Sequence, residues 1–161
     1  MKASTLQILR NPTTRENLRL EITESGEEVL VGVDSGQRFA IKNGIPIFID
    51  ATQVTGLNKK YQGLYDRLAS SYDFFEKIVF FLSMGGRDQA RRDMVKGIAL
   101  NAGDKFLEVS IGTGSNLRYL PPGVDFYGLD ISAGMLAQCQ RNLIRWKIEA
   151  ELFQGMAEQL P

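Results

Sequence analysis

Residues 106–117, FLEVSIGTGSNL, followed by residues 126–132, FYGLDIS, constrain the fold of this chain more than any other stretch. Lys105–Val109 reads as a short buried strand. Gly112 and Gly114 then supply the positive φ and the close backbone approach needed where a ligand lies across a strand-to-helix turn. Ser115 or Asn116 can cap the helix that should follow. Residues 126–129 read as a second strand that delivers Asp130 at its carboxyl end, where an acidic side chain can accept hydrogen bonds from both hydroxyls of a ribose. Ser132 is then placed to cap a helix over residues 135–146.

This layout fits an adenosine-containing cofactor. A Gly-x-Gly after a strand with an acid about 20 residues on is also the fingerprint of a nicotinamide dinucleotide site. Two residues weigh against the dinucleotide. Its third glycine position is Leu117, and Glu108 would put a negative charge where a pyrophosphate must sit. S-adenosylmethionine, with a cationic sulfonium, an amino group and no phosphate, suits that carboxylate better.

Glu108-Val-Ser-Ile-Gly-Thr-Gly114 with Gly128-Leu-Asp130-Ile-Ser132 resembles the first two motifs of class I S-adenosylmethionine-dependent methyltransferases. Upstream, residues 65–73, YDRLASSYD, resemble the opening helix of the ubiquinone/menaquinone and phospholipid methyltransferase branch. Downstream, residues 154–161, QGMAEQLP, are similar to the segment after the third strand. The resemblance implies S-adenosylmethionine as cofactor. Glu108, Ser110, Gly112 and Gly114 would lie along its methionine moiety, Asp130 would hold the ribose, and Ile131 would pack on adenine. Ala157 would offer its backbone to the ring, and Tyr72 would close the pocket. Ser110 stands at the usual first glycine, a substitution that a negative φ would accommodate. Met156 stands at the usual adenine-binding acid and could only pack on the ring, which implies weaker affinity or a compensating neighbour.

The family's sheet has seven strands, and the segment here ends just after the third, residues 151–153. The expected fold class is therefore α/β: a truncated Rossmann-like methyltransferase sheet, with its first three parallel strands and their helices over residues 54–161. A small antiparallel β module over residues 1–53 precedes it. The first strand is central in the complete sheet, so truncation leaves Phe106, Leu107 and Val109 short of cover. An open apolar edge invites pairing, and a homodimer through that edge is one expected outcome.

The amino-terminal residues alternate apolar and polar side chains over 8–20 and 29–50, around the turn signals Asp34-Ser-Gly36 and Asn43-Gly44. Asn11-Pro12-Thr13-Thr14 and Phe39-Ala-Ile41-Lys-Asn-Gly44-Ile-Pro46 resemble the zinc-ribbon-like Trm112 family, but every cysteine of that pattern is missing. Asn11 and Thr14 stand at the first pair, so no tetrahedral zinc site is expected. Packing of Ile8, Leu18, Leu20, Val31, Phe39, Ile41, Ile45 and Ile47, partly against the second unit, must hold a module this small.

The chain has no histidine, one cysteine, and 19 basic against 19 acidic residues. That composition offers no disulfide framework or imidazole base, and no net field to attract nucleic acid. A cytoplasmic location is expected. Residues 58–84 read as helical, with an apolar run at 78–82 too short to span a bilayer and Phe74 to Leu82 apolar nearly all round. Residues 87–100 read as another helix, with Ala90, Met94, Ile98 and Ala99 toward the sheet and Arg87, Arg91, Arg92 and Lys96 solvated. Cys139 reads as packing and Trp146 as a helix-to-sheet contact.

A methyl donor needs no nucleophile from the protein, and no catalytic residue is assigned. Two classes of function remain. One is an S-adenosylmethionine-dependent methyltransferase, with a small-molecule, quinone or lipid acceptor ahead of RNA or protein. The other is a non-catalytic cofactor- or partner-binding protein.

Overall fold

The computed structural model describes residues 1–49 and 86–161. The helix expected over 58–84, its apolar run and Tyr72 lie outside the described residues. Along the chain come α1 (Ala3–Ile8), β1 (Leu18–Ile22), β2 (Glu28–Gly32), β3 (Arg38–Lys42) and β4 (Ile45–Pro46). From residue 86 onward come α2 (Gly86–Lys96), β5 (Lys105–Val109), a single 3-10 turn (Leu117–Tyr119), β6 (Asp125–Asp130), α3 (Ala133–Trp146) and β7 (Glu151–Gln154).

The first four strands form an antiparallel sheet in the order β1-β2-β3-β4, as the alternation in the sequence predicts. Asn43 and Gly44 turn β3 into β4 with φ of 51° and 76°, the pair of positive angles that makes Asn-Gly the preferred hairpin turn. Residues 8–20 depart from the expectation. Residues 3–8 are helical, only the Arg10 to Asn17 bridge is strand-like before β1, and Ile8 and Leu20 face solvent. Leu9, Leu30 and Phe48 take the core places instead.

A carboxylate gathers the turns at residues 11–16 and 33–37. Glu16 Oε2 accepts the backbone N–H groups of Asp34 (2.6 Å) and Ser35 (2.8 Å), while Oε1 accepts from Thr14 Oγ1 (2.7 Å), Asn11 Nδ2 (3.0 Å) and the Ser35 hydroxyl. Fully buried Asn11 also donates to Gln37 Oε1 (2.9 Å) and accepts the N–H of Thr13 (3.0 Å). These bonds, from the Ser35 and Thr14 hydroxyls first, hold the Glu16 carboxyl down at about 2. A Cβ at Gly32, the last residue of β2, would meet Glu16 Oε1 and Ser35 Oγ at 2.6 Å, so a larger residue there would displace this network.

The remaining strands form a parallel sheet in the order β5-β6-β7, the order expected of the first three strands. Its two faces are covered differently. Tyr127, Leu129 and Phe153 point to one side and share a core with Leu9, Leu18, Leu30, Phe39 and Phe48 of the module. Phe48 stacks obliquely between Phe39 (5.1 Å) and Phe153 (6.3 Å). Each large apolar side chain so buried contributes roughly 1.5–3 kcal/mol, so the module draws much of its stability from the parallel sheet. The connection is also made by backbone: Ile47 bridges Gln154 in parallel, and the N–H of Phe48 donates to the Gln154 carbonyl at 2.7 Å.

The other face packs on α3 through Ile111, Leu117, Leu136, Cys139, Leu143 and Leu152. Ser132 caps α3 by accepting the Met135 N–H at 3.1 Å, so the helix begins at Ala133, two residues before the expected start. β6 and β7 are covered on both faces, and β5 is not. Leu107 and Val109 share a face with Tyr127 and Leu129 but are 39% and 38% exposed, and among the described residues no strand pairs with the outer edge of β5.

Two helices differ from expectation. No full helix follows the glycine turn, where Pro121 and Pro122 stop the 3-10 turn after Tyr119. Among the described side chains of α2 the buried one is Val95, whereas Ala90 and Met94 are exposed. The helix ends at Lys96, so Ile98 and Ala99 lie beyond it and also face solvent.

Candidate functional site

Parallel pairing brings the carboxyl ends of three strands side by side, with Glu108 opposite Gly128 and Asp130 opposite Gln154. The chain leaves β5 through a turn whose backbone is left-handed at Ser110, Gly112 and Gly114, with φ of 59°, 57° and 78°. The negative φ that would accommodate Ser110 without strain is therefore not found. The position keeps the conformation a glycine would adopt, at a cost of about 1 kcal/mol for an L side chain.

Three groups from other elements fix this turn. Asp130, 8% exposed, accepts the N–H of Gly112 on Oδ2 (2.8 Å) and that of Ser132 on Oδ1 (2.9 Å). Asn142, on the buried face of α3, donates from Nδ2 to the Thr113 carbonyl at 3.0 Å. Cys139 packs beneath Gly114, where an added Cβ would meet its Sγ at 2.7 Å, so the cysteine is packing as expected. A Cβ at Gly112 would meet no atom of the described residues within 4 Å, so among them the upper side of the turn is open. Gly128 serves a different purpose: a Cβ there would strike Ile111 at 2.4 Å, so its absence lets the turn pack down on β6.

Glu108 is half-buried. Its Oε1 accepts from Asn116 Nδ2, whose own Oδ1 accepts from Arg91 Nη1 at 2.9 Å, while Oε2 is buried with no hydrogen-bond partner among the described residues. Burial raises its pKa, against the opposing pull of the Asn116 hydrogen bond and the Arg91 charge. A half-satisfied buried carboxylate is costly unless something completes it, and a ligand ammonium would do so.

Ile131 is half-buried at the start of the capped helix, Met156 half-buried and Ala157 exposed just after β7. Glu108, Ser110, Gly112, Gly114 and Asp130 are thus gathered around one turn, with Ile131, Met156 and Ala157 beside it on the neighbouring strand ends. Arg91, Asn116 and Asn142 were not foreseen. The expectation of a solvated Arg91 and of Asn116 as a helix cap hid the first two, but an asparagine three residues from Cys139 on an apolar helix face was a readable signal. Trp146 contacts the Arg118 guanidinium, 5.0 Å from its ring.

A cavity of about 700 Å³ opens at the opposite end of the strands, beside Asp125, Arg118, Trp146 and Glu151. It includes none of the residues of the glycine turn. Among the described residues, no group of three or more acidic or cysteine side chains could hold a metal ion, and no helix is long and apolar enough to cross a membrane.

Residues 106–161 match the family model described as a methyltransferase domain. The chain is 33% identical over 89 residues, 53% of its length, to a ubiquinone/menaquinone biosynthesis C-methyltransferase of Geobacter sulfurreducens. It is 31% identical over 99 residues, 61% of its length, to a demethylmenaquinone methyltransferase of Paenarthrobacter aurescens. To that of Thermotoga maritima it is 32% identical over 111 residues, 66% of its length. The chain spans 34%, 36% and 45% of these three relatives, in that order. Among solved structures, the YcgJ protein of Bacillus subtilis is similar with a TM-score of 0.43 and 24% identity, over 46% of this chain and 32% of that one. The family model and the three relatives agree, in their descriptions, on methyl transfer.

Proposed function

We propose that this chain forms the cofactor-holding part of an S-adenosylmethionine-dependent methyltransferase, acting on a small-molecule, quinone or lipid acceptor. The observation that carries the proposal is Glu108 Oε2, unpartnered among the described residues, beside an open, left-handed glycine turn. Bound there, S-adenosylmethionine would supply an activated methyl group; the chain's own residues hold and orient it. Glu108 would accept the methionine ammonium, Asp130 would receive the ribose hydroxyls on its remaining lone pairs, and Ile131 and Met156 would flank adenine with Ala157. Positioning the donor is most of what such an enzyme must do.

The acceptor class comes from the quinone-pathway names of the relatives. The open edge of β5 suits a further strand, from a second copy of the chain or from polypeptide matching the rest of the relatives' length. The amino-terminal module is read as a Trm112-like fold without its metal.

Calorimetric titration with S-adenosylhomocysteine and, separately, with NADH tests the reading. Saturable heat with the first and none with the second is expected; binding of NADH alone would replace the methyltransferase reading with the dinucleotide one.

A further inference from the structure

The loop that follows β7 carries Met156 and Ala157 and is tied at both ends. At its start the N–H of Gly155 donates to the Asp130 carbonyl at 3.0 Å, and Gly155 lies against Leu129 and Phe48. In its middle only a short turn closes, from the Gln159 N–H to the Met156 carbonyl. At its far end the tie comes from the other sheet: Arg15 Nη1 donates to the Leu160 carbonyl at 2.8 Å, and Leu160 packs on the core that contains Leu9 and Leu18.

Arg15 is itself held in an uncommon conformation. Its φ is 65°, its N–H donates to the Asn11 carbonyl at 2.8 Å, and the Asn11 N–H donates to the Glu16 carbonyl at 3.0 Å. This closed turn belongs to the Glu16 network. A non-glycine residue in the left-handed region persists only when its surroundings over-determine it, and here five donors on one carboxylate do so.

We propose that Arg15 is a positioning residue for the cofactor site: it holds residues 155–161 against the parallel sheet, so that Met156 and Ala157 stand beside the end of β6. The amino-terminal module thereby acts on the site through a specific contact as well as through the shared core. The effect on cofactor affinity rests on the methyltransferase reading above; the effect on the loop does not.

Hydrogen exchange of the loop amides in the 1–161 chain, alongside titration with S-adenosylhomocysteine, tests this. Loss of one exposed hydrogen bond of about 1 kcal/mol predicts that Arg15→Ala speeds exchange at the Gln159 amide, among the described residues the one hydrogen-bonded amide of residues 156–160, roughly fivefold, with β2 and β6 unchanged. It also predicts affinity lowered by a similar factor, with Arg15→Lys between the two. Loop exchange equal to that of the parent chain would overturn the proposal, as would faster exchange with unchanged affinity. A parent chain that binds no S-adenosylhomocysteine would sink the cofactor reading, and the exchange measurement would still decide whether Arg15 holds the loop. Faster exchange throughout the module would overturn the positioning role in favour of general destabilisation.

Discussion

The backbone N–H of Gly112 donates to the Asp130 carboxylate at 2.8 Å, so the turn leaving β5 and the end of β6 form one hydrogen-bonded unit. The same carboxylate receives Ser132, which in turn caps α3. Asp130→Asn keeps one oxygen acceptor and turns an amide against a backbone N–H. It should lower stability in urea by roughly 2 kcal/mol, as expected for a buried charge-assisted bond. An unchanged midpoint would mean that Asp130 does not organise the turn.

Ser110 is a serine in a glycine conformation. Ser110→Gly removes the left-handed strain but adds freedom to the unfolded chain, so a net gain of about 0.5 kcal/mol is expected in the same urea experiment. Destabilisation would place the serine side chain among the contacts that hold the turn.

Gly114→Ala introduces a Cβ that would meet Cys139 Sγ at 2.7 Å, at a φ of 78°. It should cost about 2–3 kcal/mol, the sum of overpacking and backbone strain. Gly112→Ala, with no atom of the described residues within 4 Å of its Cβ, should cost only the strain, about 1 kcal/mol. In a double-mutant cycle with Cys139→Ala, the penalty at 114 should shrink and the penalty at 112 should not.

The Glu16 carboxyl is held at about 2, below the ordinary glutamate value of 4.5. A depressed folded pKa means that the network's contribution is present above the unfolded value and is lost as pH falls from near 4.5 toward 2. Glu108 is shifted upward, so its contribution has the opposite sign and weakens as pH rises through its folded pKa. Acid titration followed by the amide signals of residues 33–37 should therefore show a transition in the low window, absent in Glu16→Gln. A transition of the same midpoint in that variant would remove Glu16 from the centre of the network.

How much of this was legible follows from the range of the interactions. Apart from the burial expected of β5, which is exposed at Lys105, Leu107 and Val109, the strands β5, β6 and β7, the Asn-Gly hairpin and the Ser132 cap rest on local patterns of apolar residues, glycine and capping side chains, and all read correctly. Ser110 did not, because its φ is imposed by the turn around it and serine has no signature for that region. The face of α2 was misassigned because Met94 and Ile98 are as apolar as Val95, and only the end of the helix at Lys96 decides which is covered. The Glu16 network was invisible for another reason: its members lie at 11, 14, 16, 35 and 37, and only the folded antiparallel sheet brings the two turns together.

The central claim is that Glu108 receives the amino group of the cofactor. The direct measurement is calorimetric affinity of the parent chain and Glu108→Gln for S-adenosylhomocysteine and for methylthioadenosine, which has the same nucleoside but no amino acid. Loss of a charge-assisted hydrogen bond predicts roughly tenfold weaker binding of S-adenosylhomocysteine by the variant and no change for methylthioadenosine. Equal affinities of the two proteins for S-adenosylhomocysteine would contradict the account.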